Sequence, residues 1–120
     1  MDLQNEDNRG MQCYEHLVNN IDADEAAVAQ CVTDLIAADT TGQFSASAAR
    51  FLAGMAPGSF TAELDALLKS AIAKDRELAY LPDLLPAIWG ADYTSNADTL
   101  RETDDNFRRI YKRVHPSGIL

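Results

Sequence analysis

Basic residues are scarce in this chain: 10 Lys and Arg stand against 19 Asp and Glu, a formal net charge of −9. A surface short of cations lacks the side chains that neutralise phosphates, which disfavours nucleic acid and anionic membrane as partners. Cysteine is rarer still. Cys13 and Cys31 are the whole complement, too few for a disulfide framework and better read as small apolar core residues. Uninterrupted apolar runs are short, such as Leu84-Leu85 and Ala87-Ile88-Trp89, against the roughly 20 residues that span a bilayer. The opening Met1-Asp2-Leu3-Gln4-Asn5-Glu6-Asp7 is acidic and polar, the reverse of a basic region followed by an apolar one in a cleaved secretion signal. These absences lead to the expectation of a soluble, cytoplasmic protein with no membrane partner.

Catalytic signatures are also missing. There is no Gly-x-Ser-x-Gly elbow, phosphate loop, dinucleotide fingerprint or His-Glu-x-x-His helix, and His16 and His115 are the only histidines available as a general base. The expectation is a protein that is not an enzyme and uses no cofactor.

What is present is an ordinary globular composition, 47% hydrophobic and 24% charged, over a length suited to one domain spanning 1–120. Residues 1–9 lack apolar periodicity and read as a frayed tail, with a second tail over 116–120. Between them the apolar residues recur at three-and-four spacing, which places them on one helical face. Met11, Tyr14, Leu17, Val18 and Ile21 form the first stripe. Val28, Cys31, Val32, Leu35 and Ile36 form the second, started by Asp22 or Asp24 and stopped near Gly42. Phe44, Ala48, Phe51, Leu52 and Met55 mark a third helix, capped by Ser45 or Ser47 and broken by Pro57-Gly58. Behind Ser59, a fourth stripe of Phe60, Leu64, Leu67, Leu68, Ala71 and Ile72 continues toward Leu78. Pro82 opens a short fifth helix that Gly90 ends, and a sixth begins at Ser95 and buries Leu100, Thr103, Phe107, Ile110, Tyr111 and Val114 before Pro116.

No segment alternates apolar and polar residues as a strand does. The predicted fold is therefore all-α: about six helices as three stacked antiparallel hairpins, either a helical bundle or a short repeat-like stack. An offset of 36 residues pairs Val28 with Leu64, Cys31 with Leu67, Val32 with Leu68, Ile36 with Ile72 and Asp39 with Asp75. Helical repeats have periods of this size; a plain bundle also produces some coincidences, because its helices share one period.

Charge is unevenly distributed. Residues 1–65 hold eleven acids and two bases, for 2 − 11 = −9, whereas residues 66–120 hold eight of each. An acidic half suits a basic protein partner, or solubility alone. Asp22, Asp24, Glu25 and Asp34 are the acidic candidates for partner binding, and Arg108, Arg109, Lys112 and Arg113 on the last helix are the basic ones. The basic set alternates with Phe107, Ile110, Tyr111 and Val114. Such residues serve phosphate contact and base stacking, but bases also belong at a helix C-terminus, and they could answer the acidic half within the molecule or in a homodimer.

Three further groups carry weaker signals. Cys13, His16, Cys31 and His115 contain the donor types of a zinc site, though not in the spacing of a finger or ribbon. Glu102, Asp104 and Asp105 cluster with Glu102 and Asp105 three apart on one face, a spacing that could hold a metal or pair a general acid with a base, but they read better as solvated helix surface. Tyr80, Trp89 and Tyr93 frame a proline-rich turn with interface-forming residue types, with Trp89 better read as core. The function that fits best is a protein-binding module of the immunity, antitoxin, inhibitor or adaptor kind. The alternative is a regulator touching nucleic acid through the basic last helix, and a metal-dependent enzyme ranks last.

Overall fold

A computed structural model describes the backbone of residues 2–116 and the side chains from Arg9 to Pro116. Those residues are mostly helical, with no strand among them, and form seven α-helices: α1 Asp2–Asn19, α2 Glu25–Ala38, α3 Gln43–Met55, α4 Thr61–Lys74, α5 Leu81–Trp89, α6 Ala97–Thr103 and α7 Asp105–Val114. A 3₁₀ turn, Tyr93–Asn96, leads into α6. The all-α expectation holds, with one helix more than the six expected.

The extra helix comes from a break. The stripe over 95–114 reads as one helix, but Asp104 adopts an extended conformation (φ −132°, ψ 106°) that ends α6 and starts α7. Its carboxylate accepts from Phe107 N at 3.0 Å, the bond of an N-cap. Thr103, expected inward, is consequently exposed, while Phe107 and Ile110 are fully buried.

Other boundaries also move for identifiable reasons. The backbone of α1 is already helical at Asp2, ahead of the first apolar stripe. Asp24, rather than Asp22, caps α2 by accepting from Ala27 N at 2.8 Å. Neither Ser45 nor Ser47 caps α3, which starts behind Gly42 in a left-handed conformation (φ 90°). Ser45 is buried and its hydroxyl meets Ser70 Oγ at 2.7 Å, joining α3 to α4. Phe60 rather than Ser59 precedes α4, and α4 stops at Lys74, short of Leu78. Met55 ends α3 with 64% of its surface exposed, against the expectation of a buried position. The tail expected over 116–120 lies outside the described residues from 117 onward.

Packing runs in chain order. α1 packs on α2 and α3, α3 on α4 and α5, α2 on α4, and α4 and α5 on α7. The Cα envelope is a slab of 46 × 33 × 18 Å, and its short axis fits two helices laid face to face at about 10 Å each. One core threads the slab, from Leu17, Val28 and Leu35 through Leu52, Leu67 and Ile72 to Leu84, Phe107 and Ile110. Small residues let the helices approach closely: Gly10 in α1 lies so near Phe44 of α3 that a Cβ there would fall 2.5 Å from the ring.

Two aspartates fasten consecutive turns. Asp39, 3% exposed, accepts from Thr41 N (3.2 Å), Gly42 N (3.1 Å) and Ser45 N (2.8 Å). Asp75, 2% exposed, accepts from Ala79 N (2.9 Å), Tyr80 N (2.7 Å) and Leu81 N (2.8 Å). Each carboxylate closes one helix and satisfies the free amides that open the next, where the dipole also favours negative charge.

Candidate functional site

Three of the four acidic candidates stand at one end. Asp22 and Asp24 stand in the turn between α1 and α2, Glu25 is the first residue of α2, and all three are exposed. Asp24 has a structural duty as the α2 cap. Asp34, a little over two turns into α2, is exposed and accepts from Gln30 Nε2 at 2.9 Å. Three ion pairs form among the described residues, Lys69–Asp65, Arg101–Asp98 and Arg108–Asp105, and each lies within a single helix of α4, α6 or α7. The acids of the α1–α2 end therefore meet no cation across these pairs.

The basic candidates divide by use. Arg108 pairs with Asp105 in the first turn of its own helix. Hydrogen bonding from that guanidinium holds the Asp105 carboxyl below the ordinary carboxylate range, an effect that solvent damps at so exposed a site. Arg113 Nη1 donates to the Ile72 carbonyl at 2.6 Å, closing the C-terminal end of α4. Lys74 donates in the same way to the Ile36 carbonyl at 2.5 Å, closing α2. Arg109 and Lys112 are exposed on α7.

The zinc donors are not assembled into a centre. Cys13, His16 and Cys31 line a surface cavity of about 240 Å³ with Gln12 and Asp34, but no group of three or more His, Cys, Asp or Glu among the described residues has a geometry that could hold a metal. His115 instead packs at a tilt against Tyr111, ring centroids 4.7 Å apart, and its Nε2 lies 3.3 Å from Tyr93 Oη. Burial pushes the Cys31 thiol up, with the Asp34 charge as the next cause, so Cys31 is a poor nucleophile at neutral pH.

The proline-rich segment expected as a turn is helix α5, and the aromatic residues near it are largely used inside the molecule. Trp89 meets Phe107 edge-on with centroids at 5.1 Å, and Tyr93 meets both Phe107 and Tyr111 edge-on. Trp89 is half-buried rather than fully core, and its Nε1 donates to Asp104 Oδ2 at 2.8 Å. Asp104 therefore does more than the solvated acid expected of it: it caps α7 with one oxygen and holds the indole with the other.

Sequence reasoning passed over Asp39, Asp75, Asp104 and Asn106 as working side chains. For Asp39 and Asp75 a signal existed in their shared position at the 36-residue offset. Asn106 gave none.

Among the described residues no helix is long and apolar enough to cross a membrane. The chain matches no protein-family model, no curated protein and no solved structure.

Proposed function

We propose that this chain is a non-enzymatic protein-binding module, a short stack of three helical hairpins that offers an acidic helical surface to a basic partner protein. The hairpins are α1–α2, α3–α4 and α5 with α6–α7. Their second helices begin at Glu25, Thr61 and Ala97, at intervals of 61 − 25 = 36 and 97 − 61 = 36 residues. The offset also relates Asp39 to Asp75, the left-handed Gly42 to the left-handed Leu78, and the Ile36 carbonyl to the Ile72 carbonyl, each closed by a cation from the following hairpin. Stacks of this kind expose long ordered surfaces, and binding other proteins is their usual employment.

The observation that carries the reading is the division of charge. Asp22, Asp24 and Glu25 project at an exposed corner outside the ion pairs of α4, α6 and α7, whereas Arg108 pairs with Asp105 at the surface of its own helix and Arg113 bonds the Ile72 carbonyl. Charge complementarity of this sort chiefly sets association rate and specificity.

Cross-linking and affinity purification from the native host, comparing wild type with Asp22→Lys/Glu25→Lys, tests the reading. The double variant leaves the Asp24 cap in place and should lose the captured partner while retaining its helicity, with Tm lowered by no more than about 4 °C because Glu25 opens α2. Equal capture by both proteins refutes the acidic corner as the interface. Sedimentation at low and high salt separates a foreign partner from a second copy joined through α7. The nucleic-acid alternative draws less support, since Arg113 is bonded to the Ile72 carbonyl and Arg108 shares its charge with Asp105; a gel shift at low salt that disappears in Arg109→Glu/Lys112→Glu would restore it.

A further inference from the structure

The chain has two cysteines, and both line the same surface cavity of about 240 Å³ on the α1–α2 hairpin. Their positions in the hairpin match. Cys13 stands six residues before the end of α1 (19 − 13 = 6), and Cys31 stands six residues after the start of α2 (31 − 25 = 6). At about 1.5 Å per residue each lies about 9 Å from the turn, so the antiparallel helices carry them side by side. Both also belong to the seam between the helices. Cys13 is four residues ahead of the fully buried Leu17, on the same face of α1, and Cys31 shares the buried face of α2 with Val28. Helix axes about 8–10 Å apart, less a Cα radius of about 2.3 Å on each side, bring directly facing Cα atoms to about 3.4–5.4 Å. That range overlaps the reach of about 4.4–6.8 Å that a disulfide needs. Electrostatics report the same closeness: burial pushes the Cys31 thiol up, Asp34 adds to it, and so does the charge of Cys13. Among the described residues no third ligand completes a metal geometry, which leaves the two thiols to react with each other.

We propose that Cys13 and Cys31 form a dithiol site that low-molecular-weight disulfides oxidise, reversibly, to a bond across the α1–α2 hairpin. Cys13 reacts first, because it is half-buried at the cavity whereas Cys31 is 4% exposed. The Cys13 thiolate attacks one sulfur of the oxidant RSSR, displaces RS⁻ and leaves a mixed disulfide on Cys13. Cys31 then gives its proton to solvent, and its thiolate attacks the Cys13 sulfur and displaces the second RS⁻. The two thiols lose two electrons, and RSSR is reduced to two RSH. Cys31 is a weak nucleophile in bulk terms, but its attack is intramolecular and gains from position. Excess RSH runs the same steps backwards. Two cysteines make no structural framework, yet transient bonds of this kind serve as sensors of oxidation. The bond ties α1 to α2 behind the turn that carries Asp22 and Asp24 and needs neither acid, so the site stands apart from the acidic corner.

Equilibration of the whole chain in mixtures of reduced and oxidised glutathione, followed by acid quenching and intact-mass analysis, tests the site. The wild type should become a monomer lighter by two hydrogens, with no thiol left for iodoacetamide, and dithiothreitol should restore it. The native fold should favour the bond. The value of [GSH]²/[GSSG] at half-oxidation, where GSH and GSSG are reduced and oxidised glutathione, should be at least about tenfold higher in buffer than in concentrated urea, and Tm of the oxidised form should rise by roughly 5–10 °C. Cys31→Ala should stop at one glutathione on Cys13, and folded Cys13→Ala should stay unmodified. If either variant loses its helicity, the wild-type masses and the comparison with urea still decide. A wild type that halts at a glutathione adduct, links into dimers, or forms the bond no more readily in buffer than in urea would overturn the proposal. Asp22→Lys/Glu25→Lys should oxidise like wild type, so failure of the acidic corner and failure of this site are distinguishable.

Discussion

Replacing Asp75 by Ala removes a side chain that is almost wholly buried and accepts from three consecutive amides, those of Ala79, Tyr80 and Leu81. The Leu81 bond is buried and the other two are partly so, so water can replace the carboxylate at Ala79 and Tyr80 more readily than at Leu81. A buried donor left without a partner costs about 1–3 kcal/mol, and loss of a helix cap costs about 0.5–2 kcal/mol. The sum is about 3 kcal/mol. Unfolding entropy of about 2.1 cal/mol/K per residue over this length comes to about 0.25 kcal/mol/K, so Tm should fall by about 12 °C. Calorimetry measures that drop, and hydrogen exchange localises it: the amides of Ala79, Tyr80 and Leu81 should lose protection first. Asp75→Asn, which keeps one acceptor but turns an NH₂ toward N–H donors, should fall between wild type and Ala. The Asp39 site is close by, since a Cβ on Gly42 would lie 3.2 Å from Asp75 Cβ. A double-mutant cycle of Asp39→Ala with Asp75→Ala should therefore depart from additivity by at least about 0.5 kcal/mol. If Asp75→Ala melts within about 4 °C of wild type, a change of only about 1 kcal/mol, the carboxylate does not hold these turns together and the argument fails.

Leu78 occupies a left-handed conformation (φ 57°) that disfavours a side chain by about 1–2 kcal/mol; Leu78→Gly should recover part of this and raise the urea midpoint, less whatever its half-buried side chain contributes to packing. Gly10→Val places branched carbons where a Cβ alone would sit 2.5 Å from the Phe44 ring, so it should destabilise by about 1–3 kcal/mol, with amide exchange in α1 rising before exchange in α5. The Asp65 carboxyl is held low in the folded state by Lys69 and Asn106; its stabilising contribution is present above the ordinary carboxylate range and is lost as pH falls through the folded value. Asp65→Asn should accordingly flatten the acid limb of the stability curve slightly, because half of that side chain faces solvent.

Much of the fold was legible because one physical signal, apolar residues at helical spacing, dominates Leu17, Val28, Leu35, Leu67 and Ile110, and all five are fully buried. Proline and glycine marked most of the turns. The break at Asp104 was not legible, since the stripe from Leu100 to Phe107 continues across it in register; what ends α6 is a side-chain bond to Phe107 N together with a tertiary bond to Trp89, and periodicity carries no trace of either. The cap of α3 was misread for a related reason. Local rules look for a serine at the first turn, whereas the acceptor comes from Asp39, which ends the preceding helix; Asp75 serves the start of α5 in the same way. The acidic corner could be read from composition, but the cavity shared by Cys13 and Cys31 could not, since it depends on how α1 and α2 pack.

A slab only 18 Å thick also has a kinetic meaning. Apart from α4 with α7, each helix rests on others one or two places away in the chain, and chains rich in such near-neighbour contacts fold quickly. The same layout limits how far a disturbance spreads: α1 and α2 can open at one end while Phe107, Trp89 and Tyr93 hold the other, giving partial unfolding in steps rather than a single collapse of the whole.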